Sequence, residues 1–466
     1  MRIERITLHD IGPFGEAVLE LPPAPEKGGE VLLFEGPNGS GKTTIAEAIA
    51  CAAAREPMDT HPLMPPARSL LSRLRADGWV RVDVSHGGDV WPVLASQSKG
   101  QITLPQGYGT RSPHAPMELA GHRAQHDPVA WAAFAYGQST TTPNVETAGP
   151  QEITVPPLEG ALSFGRGNSA SSHLGQLLVN LRHQLGESAL SVMSADATDS
   201  SEAVRAARLA GETARRTMTA MEDGLSALLG RAVRFKFGTE RKKPNGGFSP
   251  EILFDGEPVP LHLLGEGMRR TMSWLTDLLV RLHRVRWADT ARSPHEQSFW
   301  LVLDEVDESL HPRMQMRLLP ALRALFPNAS IYMTTHSPFV VASVGEGFVV
   351  PLRPDSQHRV NGPLRVEPLR PGQSLEWVIE EVFDARTGFI DVISRRDLDD
   401  HKADIARLRR KEALTPDDWR RLVERRRRLF SYGDEMASMV GVLEVPVRAV
   451  IEAHDDGRDE TPEAAE

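Results

Sequence analysis

The stretch Gly36-Pro37-Asn38-Gly39-Ser40-Gly41-Lys42-Thr43-Thr44 has the spacing G-x-x-x-x-G-K-[ST], which is typical of a phosphate-binding loop. An apolar run at 30–34 precedes it and predicts a buried strand, while the Ala-rich segment 44–54 predicts a helix. Between a strand and a helix, the backbone N–H groups of the loop and the positive end of the helix dipole point toward the same anion. The stretch therefore predicts a nucleotide site in an α/β fold.

The motif predicts chemical roles for two side chains of this loop. Lys42 is expected to reach the β- and γ-phosphates of the nucleotide, and the Thr43 hydroxyl is expected to ligate Mg²⁺. The alternative is an accidental glycine-rich turn. Because all fixed positions and both flanking segments match, the nucleotide site is the stronger interpretation.

Length and composition describe a chain of several domains. The 466 residues are 40% apolar and 25% charged, which predicts two or three soluble domains. The net charge of −10 argues against a surface that coats nucleic acid, although it leaves room for a local basic patch. The single cysteine, Cys51, excludes an intrachain disulfide and a Cys-based zinc site. No apolar run approaches the roughly 18 residues that span a bilayer, and the N-terminus lacks a signal-peptide pattern, so we expect a cytoplasmic protein without membrane partners.

The remaining pattern predicts strands and helices on both sides of the phosphate-binding loop. Residues 1–35 alternate and predict a hairpin that leads into it. The apolar run 131–136 predicts a buried strand that ends close to Gln138, where a polar loop can face a nucleotide. Residues 140–172 are rich in turn-forming residues and predict a connector. Further strands are predicted at 79–84, 90–94, 231–237, 251–254 and 259–261, and further helices at 67–75, 172–190, 201–229 and 271–285.

Two adjacent carboxylates end the apolar run 298–303, and a histidine follows the next predicted strand at 329–333. Because strand ends of a parallel sheet face the ligand crevice, Asp304 can hold Mg²⁺ through water and Glu305 can point at the water that attacks a γ-phosphate. His336 can donate a hydrogen bond to that phosphate. The alternatives are a solvated acidic turn and a structural histidine, and the phosphate-binding loop weakens both.

The sequences LDEVDESLHP (303–312) and TTHSP (334–338), in this order after the phosphate-binding loop, resemble the ATP-binding-cassette ATPases of the structural-maintenance-of-chromosomes (SMC), RecF and OLD (overcoming lysogenization defect) group. The resemblance covers roughly residues 1–353. It implies an α/β fold: a P-loop head with a mixed sheet and flanking helices, a helical insertion and a helical C-terminal region. It also implies Mg²⁺-dependent ATP hydrolysis with Glu305 as general base, and a head-to-tail homodimer that holds ATP between the phosphate-binding loop of one subunit and the signature loop of the other.

By the same resemblance, Gln138 is the candidate for the loop glutamine that senses Mg²⁺ and the attacking water. The segment Leu264-Gly265-Glu266-Gly267-Met268 is similar to the signature loop. It departs from the family because Gly265 stands where a serine usually contacts the opposite γ-phosphate. The backbone and Gly267 are then left to make that contact.

Two branches of the family fit less well. The transporter branch needs membrane partners and lacks Leu-His-Pro. The OLD branch often carries a C-terminal nuclease domain, of which we find no pattern here. Residues 397–400 are acidic but lie in a charged, helical pattern, which argues against a metal site.

The C-terminal region contains a basic helix. Thr415-Pro416 predicts its start, with an N-cap and a proline at the first position. Its arginines could neutralise nucleic-acid phosphates, or they could pair with acids of the preceding helix at 399–412. They are Arg420, Arg421, Arg425, Arg426, Arg427 and Arg428.

These observations predict an order of regions along the chain. The N-terminal ATPase lobe covers 1–140, a loop and helical insertion 141–230, the C-terminal lobe 231–353, a mostly helical region 354–453, and an acidic disordered tail 454–466. The predicted function is a nucleotide-dependent switch that forms a dimer or a higher oligomer. Three alternatives for its biological role stay open. It is the ATPase of an antiviral system with a separate nuclease or toxin as effector, a DNA-repair ATPase that binds DNA, or an ATP-ordered scaffold without turnover.

Overall fold

The computed structural model describes residues 1–23, 28–53, 69–70, 72–86, 89–96, 128–137, 157–158, 160–164, 174–194, 202–237, 251–259, 263–383, 392–410, 412, 414–448 and 450–451. The chain divides into two compact units, Met1–Phe383 and Asp384–Glu466. Within the described part of the chain, no helix has the length and apolar character that crossing a membrane requires.

The first unit combines fourteen described strands with seven described α-helices. The strands are β1 (Arg2–Ile11), β2 (Phe14–Glu20), β3 (Val31–Glu35), β4 (Leu74–His86), β5 (Asp89–Ser96), β6 (Ala132–Tyr136), β7 (Val233–Lys236), β8 (Glu251–Phe254), β9 (Glu257–Pro258), β10 (Phe299–Asp304), β11 (Ser330–Thr335), β12 (Gly347–Pro351), β13 (Val360–Pro363) and β14 (Glu367–Leu369). The helices are α1 (Lys42–Ala53), α2 (Leu174–Ser194), α3 (Glu202–Leu229), α4 (Glu266–Arg284), α5 (Pro312–Leu325), α6 (Pro338–Ala342) and α7 (Leu375–Trp377), with a 3-10 turn at Pro294–Glu296 and a π-helical turn at Val378–Val382.

The central sheet of six strands has the order β14-β12-β3-β11-β10-β6. All its pairs are parallel except β12 with β14. Side chains of β3 alternate between two cores: Leu33 faces one, while Leu32 and Phe34 face the other. The register pairs Asp304 with Thr334 and Thr335 with Glu35, so β3, β10 and β11 end at one edge of the sheet.

A second sheet of order β13-β2-β1-β4-β5 lies on the other side of α1. Helix α1 contributes Ile45 and Ile49, both fully buried, to the core that the two sheets share. Helices α2 to α5 cover the opposite face of the central sheet. Strands β7, β8 and β9 form a small separate sheet. This burial fixes α1, and therefore the loop that precedes it, relative to the strand ends.

Most predicted elements are confirmed, among them the N-terminal hairpin, the helix after the phosphate-binding loop, the strands at 132–136 and 299–304, and the α/β class. The helix predicted at 67–75 is wrong at its end, because β4 begins at Leu74 and pairs with β1. Helix α4 begins at Glu266, five residues before the predicted start at Thr271. The strand predicted at 259–261 is described only at Val259, which follows β9.

The region 354–453, predicted as mostly helical, has its described helices from residue 375 onward, but it begins with two strands. Strand β13 joins β2 of the N-terminal sheet in parallel, and β14 closes the edge of the central sheet. These runs contain Gly362 and two prolines, and they form strands because a neighbouring edge supplies the pairing that their sequence does not favour. The acidic tail 454–466 and most of the predicted connector 140–172 lie outside the described residues.

The second unit contains α8 (Val392–Arg409), α9 (Pro416–Ser431) and α10 (Asp434–Glu444). Helix α9 starts as predicted: Thr415 is the N-cap and forms a capping box with Asp418. The helices bury two small apolar clusters, one around Leu429 and Val440 and one around Ile405 and Leu422.

Candidate functional site

The phosphate-binding loop adopts a conformation that its glycines make possible. Gly39 and Gly41 have φ of +81° and +98°, a region that favours glycine. A Cβ on Gly41 would lie 2.3 Å from Cε2 of Phe14, which packs against the loop from the N-terminal hairpin. The loop is therefore held from both sides, by α1 and by the turn between β1 and β2.

Lys42 lies buried at the start of α1, and its ammonium group points back across the loop. Its Nζ donates to the carbonyl oxygens of Gly36 at 3.0 Å and Pro37 at 3.2 Å. Burial lowers the pKa of Lys42, and the charges of nearby carboxylates, Glu305 foremost, oppose that shift. Carbonyl oxygens are weaker acceptors than phosphate oxygens, so this geometry suits a lysine that exchanges them for a phosphate.

Thr43 and Asp304 meet across the loop, as their predicted shared role in Mg²⁺ binding requires. Thr43 Oγ1 donates to Asp304 Oδ1 at 3.2 Å, and Thr334 Oγ1 donates to the same oxygen at 2.7 Å. Burial raises the pKa of Asp304, against the hydrogen bond from Thr334. A hydroxyl and a carboxylate oxygen this close are a donor set that fits Mg²⁺, which prefers hard oxygen ligands and retains several waters.

Glu305 lies where the three strand ends converge. Its Oε1 is 3.1 Å from His336 Nε2 and 3.5 Å from Lys42 Nζ. The backbone of Glu305 has φ of +52°, which costs an L-residue about 1–2 kcal/mol, and its N–H donates to Thr334 Oγ1 at 3.0 Å. The side chains of Glu305 and His336 stay 25% and 37% exposed, so a ligand can reach both.

Two arginines near the loop were not found from the sequence. Arg73, just before β4, donates to Thr44 Oγ1 at 2.9 Å and pairs with Glu47 at 3.2 Å on the first turns of α1. Arg353 pairs at 2.6 Å with Glu35, the last residue of β3, whose pKa is raised by burial. No local pattern marks either arginine, because each partner is more than twenty residues away in the chain.

The predicted signature loop divides into exposed and buried residues. Gly265 and Glu266 are exposed at the start of α4, and Glu266 pairs with Arg270 at 2.5 Å. Gly267 is buried, and a Cβ there would lie 2.1 Å from the carbonyl oxygen of Ser309. Gly267 thus packs on the loop after β10 of its own chain, and its predicted contact with the γ-phosphate of a second subunit stays a prediction.

Gln138 lies outside the described residues, so its predicted role stays a prediction. The strand that leads to it is anchored by Tyr136, whose hydroxyl donates to Asp277 of α4 at 2.7 Å. Arg281 donates to the same carboxylate at 2.6 Å. These buried contacts join β6 to the helix that follows the predicted signature loop.

The arginines of α9 pair with acids of their own helix, of α8 and of α10, so the predicted pairing with the preceding helix is found for part of them. Arg425 pairs with Asp404 at 2.6 Å, Arg426 with Glu444 at 3.0 Å, and Arg428 with Asp397 at 3.2 Å. Arg420 and Arg421 pair with acids one turn earlier on their own helix. These pairs lower the positive charge that the helix offers to a phosphate, and binding of nucleic acid stays a prediction.

Two family models match the chain. One, described as "AAA domain, putative AbiEii toxin, Type IV TA system", matches residues 161–342, which contain α4, β10 and His336. The other, described as "AAA domain", matches residues 5–86, which contain the phosphate-binding loop.

Curated relatives match over short stretches. "Retron Vc95 probable ATPase" of Vibrio cholerae serotype O1 biovar El Tor is 27% identical over 93 residues, which are 20% of this chain and 18% of the relative. "Retron Ec83 probable ATPase" of Escherichia coli is 24% identical over 136 residues, which are 29% of this chain and 24% of the relative. The match thus spans less than a quarter of the length of either relative.

Solved SMC heads are similar at low scores. The "SmcHead bound to the C-winged helix domain of ScpA" is 12% identical, covers 79% of this chain and 98% of that chain, and has a TM-score of 0.41. The "SMC head domain from Thermotoga maritima" is 15% identical, covers 79% of this chain and 100% of that chain, and has a TM-score of 0.36. Scores of this size are too low to carry an inference. The family models describe AAA domains and the curated relatives are named probable ATPases, which supports the predicted class of P-loop ATPase.

Proposed function

We propose that this chain binds ATP with Mg²⁺ at the ends of β3, β10 and β11 and hydrolyses it to ADP and phosphate. The observation that carries the proposal is the approach of Glu305 Oε1 to both His336 Nε2, at 3.1 Å, and Lys42 Nζ, at 3.5 Å. A base, a hydrogen-bond donor and a cation around one point are the groups that transfer of a phosphoryl group to water requires.

Each side chain then has a defined part in the reaction. Lys42 exchanges the carbonyl oxygens of Gly36 and Pro37 for oxygens of the β- and γ-phosphates. Glu305 accepts a proton from water while the water oxygen bonds to the γ-phosphorus and the bond to the bridging oxygen of ADP breaks. His336 donates to a γ-phosphate oxygen. Thr43 and Asp304 would hold Mg²⁺, which when bound neutralises charge on the phosphate oxygens.

The variant Glu305→Gln tests the proposal. It keeps the size of the side chain but cannot accept the proton, so hydrolysis should fall by roughly 100-fold or more while ATP still binds. Phosphate release and equilibrium ATP binding measure the two effects. Glu346→Gln, on an exposed residue of the same unit, is the matched control and should keep the normal rate. A normal rate in Glu305→Gln would show that Glu305 is not the base.

We also propose an ATP-dependent head-to-tail dimer. Support comes from the exposed Gly265 and Glu266 at the start of α4, the position that the family resemblance assigns to the opposite γ-phosphate. Glu305→Gln should therefore form dimers in ATP and monomers in ADP, as measured by molecular mass in solution. If Glu305→Gln binds ATP but stays a monomer, the proposed dimer is contradicted and the proposed hydrolysis is not.

The setting that we propose is an antiviral system in the cytoplasm, in which this ATPase controls a separate nuclease or toxin. The curated relatives, which are named as probable ATPases of retrons, support this setting over short matches. Affinity capture of the tagged chain from its own host, with Glu305→Gln in ATP to hold the closed state, should recover one effector in stoichiometric amount. Recovery of duplex DNA instead would favour the DNA-repair alternative.

A further inference from the structure

Four residues behind the Glu305–His336 pair form a closed ring of hydrogen bonds. Thr335 Oγ1 donates to Asp307 Oδ2 at 2.6 Å and accepts from the Ser337 N–H at 2.9 Å. Ser337 Oγ donates to Gln315 Oε1 at 2.8 Å, and Gln315 Nε2 donates to the Asp307 carbonyl oxygen at 3.0 Å. The ring joins the loop after β10, the loop after β11 and the helix α5.

Members of the ring lie close in the chain to both residues proposed to act at the γ-phosphate. Glu305 lies two residues before Asp307, and His336 lies between Thr335 and Ser337. Thr335 and Asp307 are 0% and 2% exposed, so water does not compete for the bond between them. Movement of either loop would therefore change the separation of Glu305 and His336.

Gln315 is the ring member that no sequence motif marks. Its amide oxygen contacts the loop that carries His336, and its amide nitrogen contacts the loop that carries Glu305. We propose that Gln315 is a positioning residue, which by this bridge holds Glu305 and His336 at the separation that hydrolysis needs. The inference rests on the proposed ATP hydrolysis.

The surroundings of Asp307 support this role. Burial raises the pKa of its carboxyl group to about 6, against the hydrogen bond from Thr335. Its other oxygen, Oδ1, is buried and has no hydrogen-bond partner in the described part of the chain. Burying a carboxyl oxygen without a hydrogen bond lowers the stability of the folded chain. Costs of this kind are common at functional sites.

The test is steady-state hydrolysis by Gln315→Met, which keeps the length of the side chain and removes both hydrogen bonds. We expect kcat to fall about tenfold with KM for ATP unchanged, because the bridge orients the reacting groups and the phosphate-binding loop is untouched. Arg313→Met, an exposed position on α5, is the matched control and should keep kcat. The thermal midpoints of the two variants should agree within a few degrees.

A double-variant cycle with Thr335→Val separates positioning from a general loss of stability. If both residues act through one ring, adding Thr335→Val to Gln315→Met should lower kcat little beyond the worse single variant. Effects on kcat that multiply would overturn the proposal, as would unchanged kcat in Gln315→Met beside an active wild-type protein. An inactive wild-type protein would instead overturn the proposed hydrolysis on which this inference rests.

Discussion

Charged side chains line both the ends of the central strands and helix α9, and the two regions use them differently. At the ends of the central strands, Lys42 donates to two backbone carbonyl oxygens and lies 3.5 Å from Glu305. On α9, Arg425 reaches Asp404 at 2.6 Å and Arg426 reaches Glu444 at 3.0 Å. The lysine can exchange its two carbonyl partners for a phosphate, whereas the two arginines would have to give up carboxylates at hydrogen-bond distance to bind one. The number of charges in a segment therefore says little about binding until their partners are known.

The regions also differ in what holds them together. The strand-end region depends on backbones that approach closely, as at Gly41 against Phe14 and Gly267 against Ser309. The α9 region depends on side-chain pairs between helices. We expect the first to fail when a methyl group is added and the second when a charge is removed.

The largest effect is expected for Gly267→Ala. The added Cβ would lie 2.1 Å from the Ser309 carbonyl oxygen, so the loop that carries Glu305 must shift. Overpacking of this kind costs about 1–3 kcal/mol, and displacement of the base should also slow hydrolysis. Thermal unfolding of the full chain and ATP turnover measure both effects.

Gly265→Ala is the matched control for stability, because its Cβ would meet nothing within 4 Å and its φ is −57°. Equal thermal midpoints for the two alanine variants would show that the contact between Gly267 and Ser309 does not constrain this loop.

Glu444→Gln in the second unit is expected to lower stability alone and to leave ATP turnover unchanged. Burial works to raise the pKa of Glu444, but the hydrogen bonds from His401 and Arg426 outweigh it and leave the pKa below its ordinary value of 4.5. The carboxylate therefore contributes stability above about pH 4.5, and that stability is lost as the pH falls through the lower folded-state pKa. At pH 7 the variant should lose about 1–3 kcal/mol.

Unfolding of the second unit as a function of pH, followed for wild type and Glu444→Gln, measures this contribution. The two curves should converge in acid. The exposed neighbour Glu424→Gln should leave the curve unchanged. A separation between wild type and Glu444→Gln that persists at low pH would contradict the linkage to this carboxylate.

The smallest effect is expected for Arg420→Glu. Arg420 is 79% exposed and pairs with Asp417 on its own helix, and exposed pairs of this kind contribute less than about 1 kcal/mol. Stability should stay within about 0.5 kcal/mol of wild type, and any affinity for duplex DNA at low salt should be unchanged. A clear loss of DNA affinity in this variant would restore the basic helix as a nucleic-acid surface.

Much of the candidate site follows from short sequence patterns. The phosphate-binding loop is recognised from the spacing of residues that are close together in the chain. Lys42 and Thr43 could therefore be assigned roles without a structure. The adjacent pair Asp304-Glu305 and the later His336 could be placed because parallel strands end at a common edge. Arg73, Arg353 and Gln315 could not, because each acts on a segment that only folding brings close.

In the basic helix, the start could be predicted from the sequence but the partners of its arginines could not. Its start at Thr415 was predicted from local chemistry and is confirmed by the capping box. Whether its arginines face nucleic acid or acidic neighbours was left open by the sequence. The packing of α8 and α10 against α9 puts Asp404 and Glu444 within ion-pair distance of Arg425 and Arg426, which favours acidic neighbours for these two arginines.

By itself the sequence determined the phosphate-binding loop, the α/β class and the order of the acidic strand and the histidine, because these depend on spacing between near neighbours in the chain. Only the tertiary structure decided the left-handed turn at Glu305, the close contact of Gly267 with Ser309 and the ring through Gln315. Each of these depends on distances between segments that are far apart in the chain. Such distances are set by how the strands and helices pack, which no local pattern records.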